Sequence, residues 1–235
     1  MNSRNKEQIP LSALADRCRR DGFLVLGGFS PARADVLPGI APEVPARSLI
    51  LIGSTGPGIW PVFSESPEFG DGAADPLDRF TRRVLCAVAG EFGLSAVFPF
   101  DGPPYHPFQQ WAMTAGGFSP SPLGVLVHEI YGPWAGFRAA FLSADDLGPA
   151  ADGIGVGPCP SCADKPCLAA CPVDAISGPE GYDVPRCRDH LAGGKGEACL
   201  SGCLARHACP YGAAYRQTPE QARFHMDSFM GLSGT

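Results

Sequence analysis

The sequence predicts an α+β protein in two parts: an α/β layer domain over 1–150, then a small loop-rich domain with a C-terminal helix over 151–235. Three observations predict it. Before residue 150, stretches of helical and strand-like periodicity alternate with no internal repeat. Eight of the ten cysteines fall between Cys159 and Cys209, whereas Cys18 and Cys86 stand alone. The join, from Asp145 to Pro158, is rich in Gly, Pro and Asp, as a connection would be. With 235 residues, 45% hydrophobic and 18% charged, the chain can bury a sizeable core and is neither a disordered segment nor a coiled coil. Its 30 Gly and 25 Pro, without collagen periodicity, read as an ordered fold with many loops.

Taken in order, an amphipathic run from Glu7 to Arg20 predicts a helix, and Phe23 to Leu26 an apolar strand. Ser48 to Gly53 is a buried-strand pattern feeding a glycine-rich turn, Ser54 to Gly58. The stretch from Pro76 to Gly93 opens on Pro, ends on Gly and sets Phe80, Val84, Leu85, Val88 and Phe92 on one side, which predicts a helix. Ser95 to Phe100 reads as a short strand. Val125 to Ile130 and Phe137 to Leu142 read as two strands joined through Tyr131-Gly132-Pro133-Trp134. Thr218 to Met226 carries helix-start signals and apolar spacing, so a tail helix should pack back on the fold with His225 in a structural role. Cys18 and Cys86 fall on helical apolar faces, where cysteine acts as a small buried hydrophobe.

A net charge of −6 and a pI near 5.3 argue against a nucleic-acid partner, which requires clustered Lys and Arg. The first residues, MNSRNKEQIP, show no apolar signal core. Arg19-Arg20 is followed by Asp21 and an apolar stretch too short for a twin-arginine export signal. The longest stretch free of Asp, Glu, Lys and Arg, 102–127, is interrupted by Pro103, Pro104, Pro107, Pro120 and Pro122, unlike a bilayer helix. The expectation is a cytoplasmic protein with reduced thiols and no membrane partner.

The strongest motif is Cys159-x2-Cys162-x4-Cys167-x3-Cys171-Pro172. Four thiolates within a short run, with Pro directly after the last, suit a cubane [4Fe-4S] cluster, around which short loops wrap before the chain departs. Bacterial ferredoxins have two residues in the middle gap; here there are four, Ala163 to Pro166. A looser set follows, Cys187-x11-Cys199-x3-Cys203-x5-Cys209-Pro210, again closing on Cys-Pro. In two-cluster ferredoxins the Cys before Pro ligates the other cluster. The expected sets are therefore Cys159, Cys162, Cys167 and Cys209 for cluster 1, and Cys171, Cys187, Cys199 and Cys203 for cluster 2. A sequential scheme, each foursome holding its own cluster, is the alternative. Two structural zinc sites would also use eight Cys, but zinc knuckles favour paired Cys-x2-Cys without the Cys-Pro ending. His190 and His207 lie in this region, where eight Cys already suffice and leave them loop or supporting roles. Backbone amides of Gly193, Gly194, Gly196 and Gly202 are expected to approach the sulfurs.

The stretch Leu51 to Trp60, then Phe98 to Pro104, Pro122 to His128 and Tyr131 to Arg138, resembles bacterial relatives of the cobalamin-processing protein CblC. The resemblance implies a nitroreductase-like α/β layer domain with a large corrinoid pocket, and it nominates His128, Trp134 and Arg138 as cofactor-binding residues. His128-Glu129 stands where those relatives tend to show His-Pro. The cysteine half is similar to the ferredoxin-like dicluster domain of epoxyqueuosine reductase, a corrinoid-using enzyme with the same domain order. Glycines in the segment from Gly53 to Gly58 do not make a phosphate loop, since no Gly-Lys-Ser/Thr follows. The expectation is an iron-sulfur redox protein whose two [4Fe-4S] clusters pass single electrons to a bound cofactor or substrate, a corrinoid by resemblance, served by a redox partner protein. No side chain stands out as acid, base or nucleophile. A non-catalytic electron carrier for a partner reductase and a corrinoid-binding module are the alternatives.

Overall fold

A computed structural model describes residues 10–31, 37–148, 155–178 and 181–232. In chain order they form α1 (Leu11–Arg20), β1 (Leu24–Phe29), β2 (Ser48–Ser54), α2 (Gly56–Phe63), α3 (Pro67–Gly70), α4 (Pro76–Glu91), β3 (Ser95–Val97), α5 (Phe108–Ala115), β4 (Phe118–Pro120), β5 (Leu126–His128) and β6 (Gly136–Ser143). The cysteine-rich stretch adds α6 (Pro166–Ala169), β7 (Ile176–Ser177), β8 (Gly181–Tyr182), α7 (Val184–Ala192), α8 (Glu197–Leu200), α9 (Leu204–His207) and α10 (Pro219–Met230). The protein is mixed α/β, and none of its described helices is long and apolar enough to cross a membrane.

Two compact units share the chain. One is assembled from Met1–Gly53, Thr81–Ala115 and Phe137–Gly153, the other from Ser54–Phe80, Gly116–Gly136 and Ile154–Thr235. The last crossing between them falls close to the compositional join near 150, and two earlier segments belong with the cysteine-rich stretch.

The first unit is built on a four-stranded sheet in the order β1-β2-β6-β3. Every residue of β2 is buried, as its unbroken apolar run requires. β1 runs antiparallel to β2 with a bulge between Val25 and Gly27. Gly27 has a φ of +135°, and a Cβ there would lie 3.3 Å from the Cβ and O of Ala115 on α5, so the bulge and the helix packing both need glycine. α1 buries Leu14 and Cys18 and shows solvent Arg17, which pairs with Glu91 at 2.8 Å and with Asp21. Its predicted first residues, from Glu7, lie outside the described residues.

The second unit holds α2 and α3, the β4-β5 hairpin and everything after Ile154. Thr218 caps α10, its side chain accepting from Gln221 N at 3.2 Å, and Pro219 occupies the first turn. The helix packs back as predicted: Phe224 meets Trp60, Phe63 and Phe69 at ring separations of 5.6, 5.4 and 6.0 Å.

Three local expectations need correction. The glycine-rich turn ends early, because Gly56-Pro57-Gly58 opens α2, Pro57 being acceptable in a first turn. The strand expected over Val125–Ile130 is only Leu126–His128, and the two joined strands enter different sheets: β5 pairs with β4 in a hairpin, while β6 joins the large sheet. Cys86 is exposed on α4, whose buried side carries Phe80, Leu85 and Val88.

Candidate functional site

The cysteines of the second unit begin on a loop fastened to the β4-β5 hairpin. Gly157 passes so close that a Cβ would lie 2.3 Å from Ser119 N, and the N–H of Cys159 then donates to Ser119 Oγ at 3.1 Å. Lys165 turns the chain through a left-handed conformation, φ +37°, and Pro166 starts α6, which carries Cys167. The extra length of the Cys162–Cys167 gap is thus used to turn into a helix. At the far end, Tyr211-Gly212 crosses Tyr131-Gly132 closely, and this crossing follows directly on Cys209.

The outcome is a small pocket, partly open to solvent, lined by Cys159, Cys162, Cys167 and Cys209 with Leu123, Lys165 and Tyr211 among its other walls. The set that shares this cavity is the interleaved one. Burial pushes the thiols of Cys159, Cys167 and Cys209 above their ordinary value, and mutual repulsion within the foursome adds to it. The Ser119 hydroxyl and the N–H groups of Leu168 and Tyr211 oppose the rise at Cys159, Cys167 and Cys209 respectively.

The other four cysteines interact with one another. Burial raises the Cys199 and Cys203 thiols; Cys203, Cys187 and Cys171 add repulsion at Cys199, and Cys187 adds it at Cys203. Backbone donors converge here too: Ala175 N reaches Cys171 Sγ at 3.3 Å, Leu204 N bonds Cys199, and Ala205 N and Arg206 N bond Cys203. The Tyr182 hydroxyl hydrogen-bonds Cys187 and, being buried, is held well above the usual phenol range. One small apolar core serves both sets, with Leu123, Cys167, Ile176 and Ala205 at its centre and Leu168, Cys171, Tyr182 and Cys203 packed against it.

Comparison with protein-family models and with curated proteins finds no match to this chain. The donor chemistry must therefore be judged on its own geometry. Two groups of four thiols, each with N–H or O–H donors aimed at its sulfurs, fit the ligand demand of two cubane clusters. Among the described residues no group of three or more His, Cys, Asp or Glu is arranged to hold a single metal ion.

The nominated pocket residues are divided. His128 and Trp134 belong to the second unit and Arg138 to the first. His128 is buried, and its Nδ1 accepts from the N–H of Ile130 at 3.0 Å and of Tyr131 at 3.3 Å. Its ring stacks on Tyr131 and meets Phe118 edge-on, each at 4.7 Å. Burial pushes its pKa down to about 4, and an imidazole already accepting at Nδ1 has no reason to protonate there. Trp134 lies buried beneath the Arg206 guanidinium, 4.5 Å from its ring centroid, and meets His207 edge-on at 5.1 Å.

His190 Nε2 stands 3.9 Å from Cys199 Sγ, a neighbour of the set rather than one of the eight. The expected glycine amides have other work: Gly193 N donates to Asp189 O and Gly202 N to Cys199 O, closing helical turns. Gly196 and Gly202 instead give room to His190 O and to the His207 ring, the nearest atoms a Cβ would meet being 2.9 Å or less away at each.

Sequence reasoning missed Ser119, Tyr182, Lys165 and Arg206. The last two carried a signal, being basic residues inside the Cys162–Cys167 and Cys203–Cys209 loops. Lys165 Nζ donates to the carbonyls of Cys159 and Cys162 at 3.2 and 3.5 Å. Arg206 is half-buried, and desolvation lowers its pKa to about 10 against the opposing pull of Cys203.

Proposed function

We propose that this chain is an iron-sulfur redox protein carrying two [4Fe-4S] clusters, one on Cys159, Cys162, Cys167 and Cys209 and one on Cys171, Cys187, Cys199 and Cys203. The observation that carries the reading is the return of Cys209 to the cavity lined by Cys159, Cys162 and Cys167. Cys209 comes from a distant part of the chain to join three thiols of one loop, and neighbouring sulfurs destabilise Cys159, Cys167 and Cys209 as anions, a repulsion that a cationic core between the thiolates would offset. When bound, the clusters supply reversible one-electron chemistry. The chain's own part is to hold the thiolates, shield them in the Leu123–Ile176 core, and aim donors at their sulfurs.

The electrons would pass to a bound cofactor or substrate, with a protein redox partner supplying them in a cytoplasmic, reducing setting. A corrinoid as acceptor, in a CblC-like nitroreductase layer followed by a ferredoxin-like dicluster part, is supported by the resemblance of Leu51–Trp60, Phe98–Pro104 and Pro122–Arg138.

Anaerobic purification from iron-replete cells should yield about eight iron and eight acid-labile sulfide per chain; zinc without sulfide would overturn the reading. Cys209→Ala should cost about half of both and remove the centre that needs Cys159. Loss of the later centre instead would favour sequential ligation. Reduced protein mixed with cobalamin should change the corrinoid absorption, and an unchanged spectrum would favour the electron-carrier alternative.

A further inference from the structure

Arg206 stands on α9, three residues past Cys203. Its Nε and Nη2 both donate to the carbonyl oxygen of Pro133, at 3.0 and 2.5 Å, and its guanidinium lies over the Trp134 ring. Among the described residues no carboxylate pairs with it, and the charge it feels most is that of Cys203. A carbonyl and a ring face attract a cation but do not neutralise it, and even a partly buried charge without a counter-ion is costly. The thiolate set beside it is the nearest source of negative charge. The earlier foursome is differently equipped: Lys165, likewise half-buried, carries its charge on a flexible stem whose Nζ donates to two carbonyls.

We propose that Arg206 sets the electron affinity of the neighbouring centre: its positive charge, fixed by two hydrogen bonds to Pro133 and by the Trp134 ring, makes the Cys171, Cys187, Cys199, Cys203 centre easier to reduce than the Cys159, Cys162, Cys167, Cys209 centre. This rests on the two-cluster reading above. Reduction adds one electron from an external one-electron donor, such as dithionite through a viologen mediator, with no bond made or broken. The added charge is stabilised more where the cation is nearer and less hydrated. The later centre therefore takes the first electron.

The test is a mediated redox titration of the full-length, iron-loaded protein, followed by electron paramagnetic resonance. Arg206→Met should make one centre at least tenfold harder to reduce, about 59 mV for a one-electron couple, and leave the other unmoved. Arg206→Lys, which keeps the charge, should restore most of the difference. Unmoved potentials, an equal shift of both centres, or a Lys variant as displaced as the Met variant would each overturn the proposal. Should Arg206→Met fail to fold, Cys209→Ala decides without it: the surviving centre must titrate at the higher of the two wild-type potentials, and survival of the lower one overturns the assignment. Iron and sulfide analysis of each sample separates failure of this inference from absence of clusters.

Discussion

His128 is held as a neutral imidazole by its surroundings. With two main-chain N–H groups on Nδ1 and aromatic rings on two sides, the neutral imidazole is the form the site was built around. Its folded pKa, about 4, lies below the ordinary 6.5, so the unfolded chain takes up the proton first as pH falls. The stability it contributes is intact above pH 6.5 and is lost progressively between 6.5 and 4, amounting to about 3 kcal/mol at most. Urea midpoints measured across that window should fall more steeply for the wild type than for His128→Asn, whose side-chain oxygen can still accept from the main chain. Parallel curves would refute the assignment.

At the level of elements, the crossing of Tyr131-Gly132 over Tyr211-Gly212 fixes where the last ligand loop ends. A Cβ on Gly132 would lie 2.2 Å from Tyr211 O, and one on Gly212 2.2 Å from Tyr131 O, with φ of +59° and +69°. Gly132→Ala should cost about 2–4 kcal/mol and lower iron retention, read by thermal unfolding and iron content. Gly70→Ala, with nothing within 4 Å and an ordinary φ, should be neutral or gain a few tenths of a kcal/mol. These two glycines look alike in the sequence. Much else was legible: α4 announced itself by Pro76 and its apolar stripe, β2 by its unbroken hydrophobic run, and α10 by Thr218-Pro219. Gly56-Pro57-Gly58 misled because turn residues also open helices, and the pairing of β5 with β4 was invisible because three-residue strands carry almost no periodicity.

Across the whole molecule, the sequence grouped Cys159, Cys162, Cys167 and Cys209 by analogy with two-cluster ferredoxins, and these four line one pocket. The neighbours of the cysteines were less readable: Ser119 reaches Cys159 only because separate segments fold together, while Tyr182 reaches Cys187 from the strand just before its helix. Loading should also change the molecule's charge. An oxidised cubane with its four thiolates carries about −2, so two of them take the formal −6 to about −10. Iron-loaded protein should therefore migrate ahead of the apoprotein on native electrophoresis and leave an anion exchanger at higher salt. Identical mobility would mean the thiols never met a cluster.

The return of Cys209 to the cavity opened by Cys159 also determines what can be cut out of this chain and still grip iron. A synthetic peptide spanning the early motif would hold three donors of one centre and a single donor of the other, a complete grip on neither. On the interleaved two-cluster reading, the smallest piece able to hold a complete centre would run through the close crossing beyond Pro210.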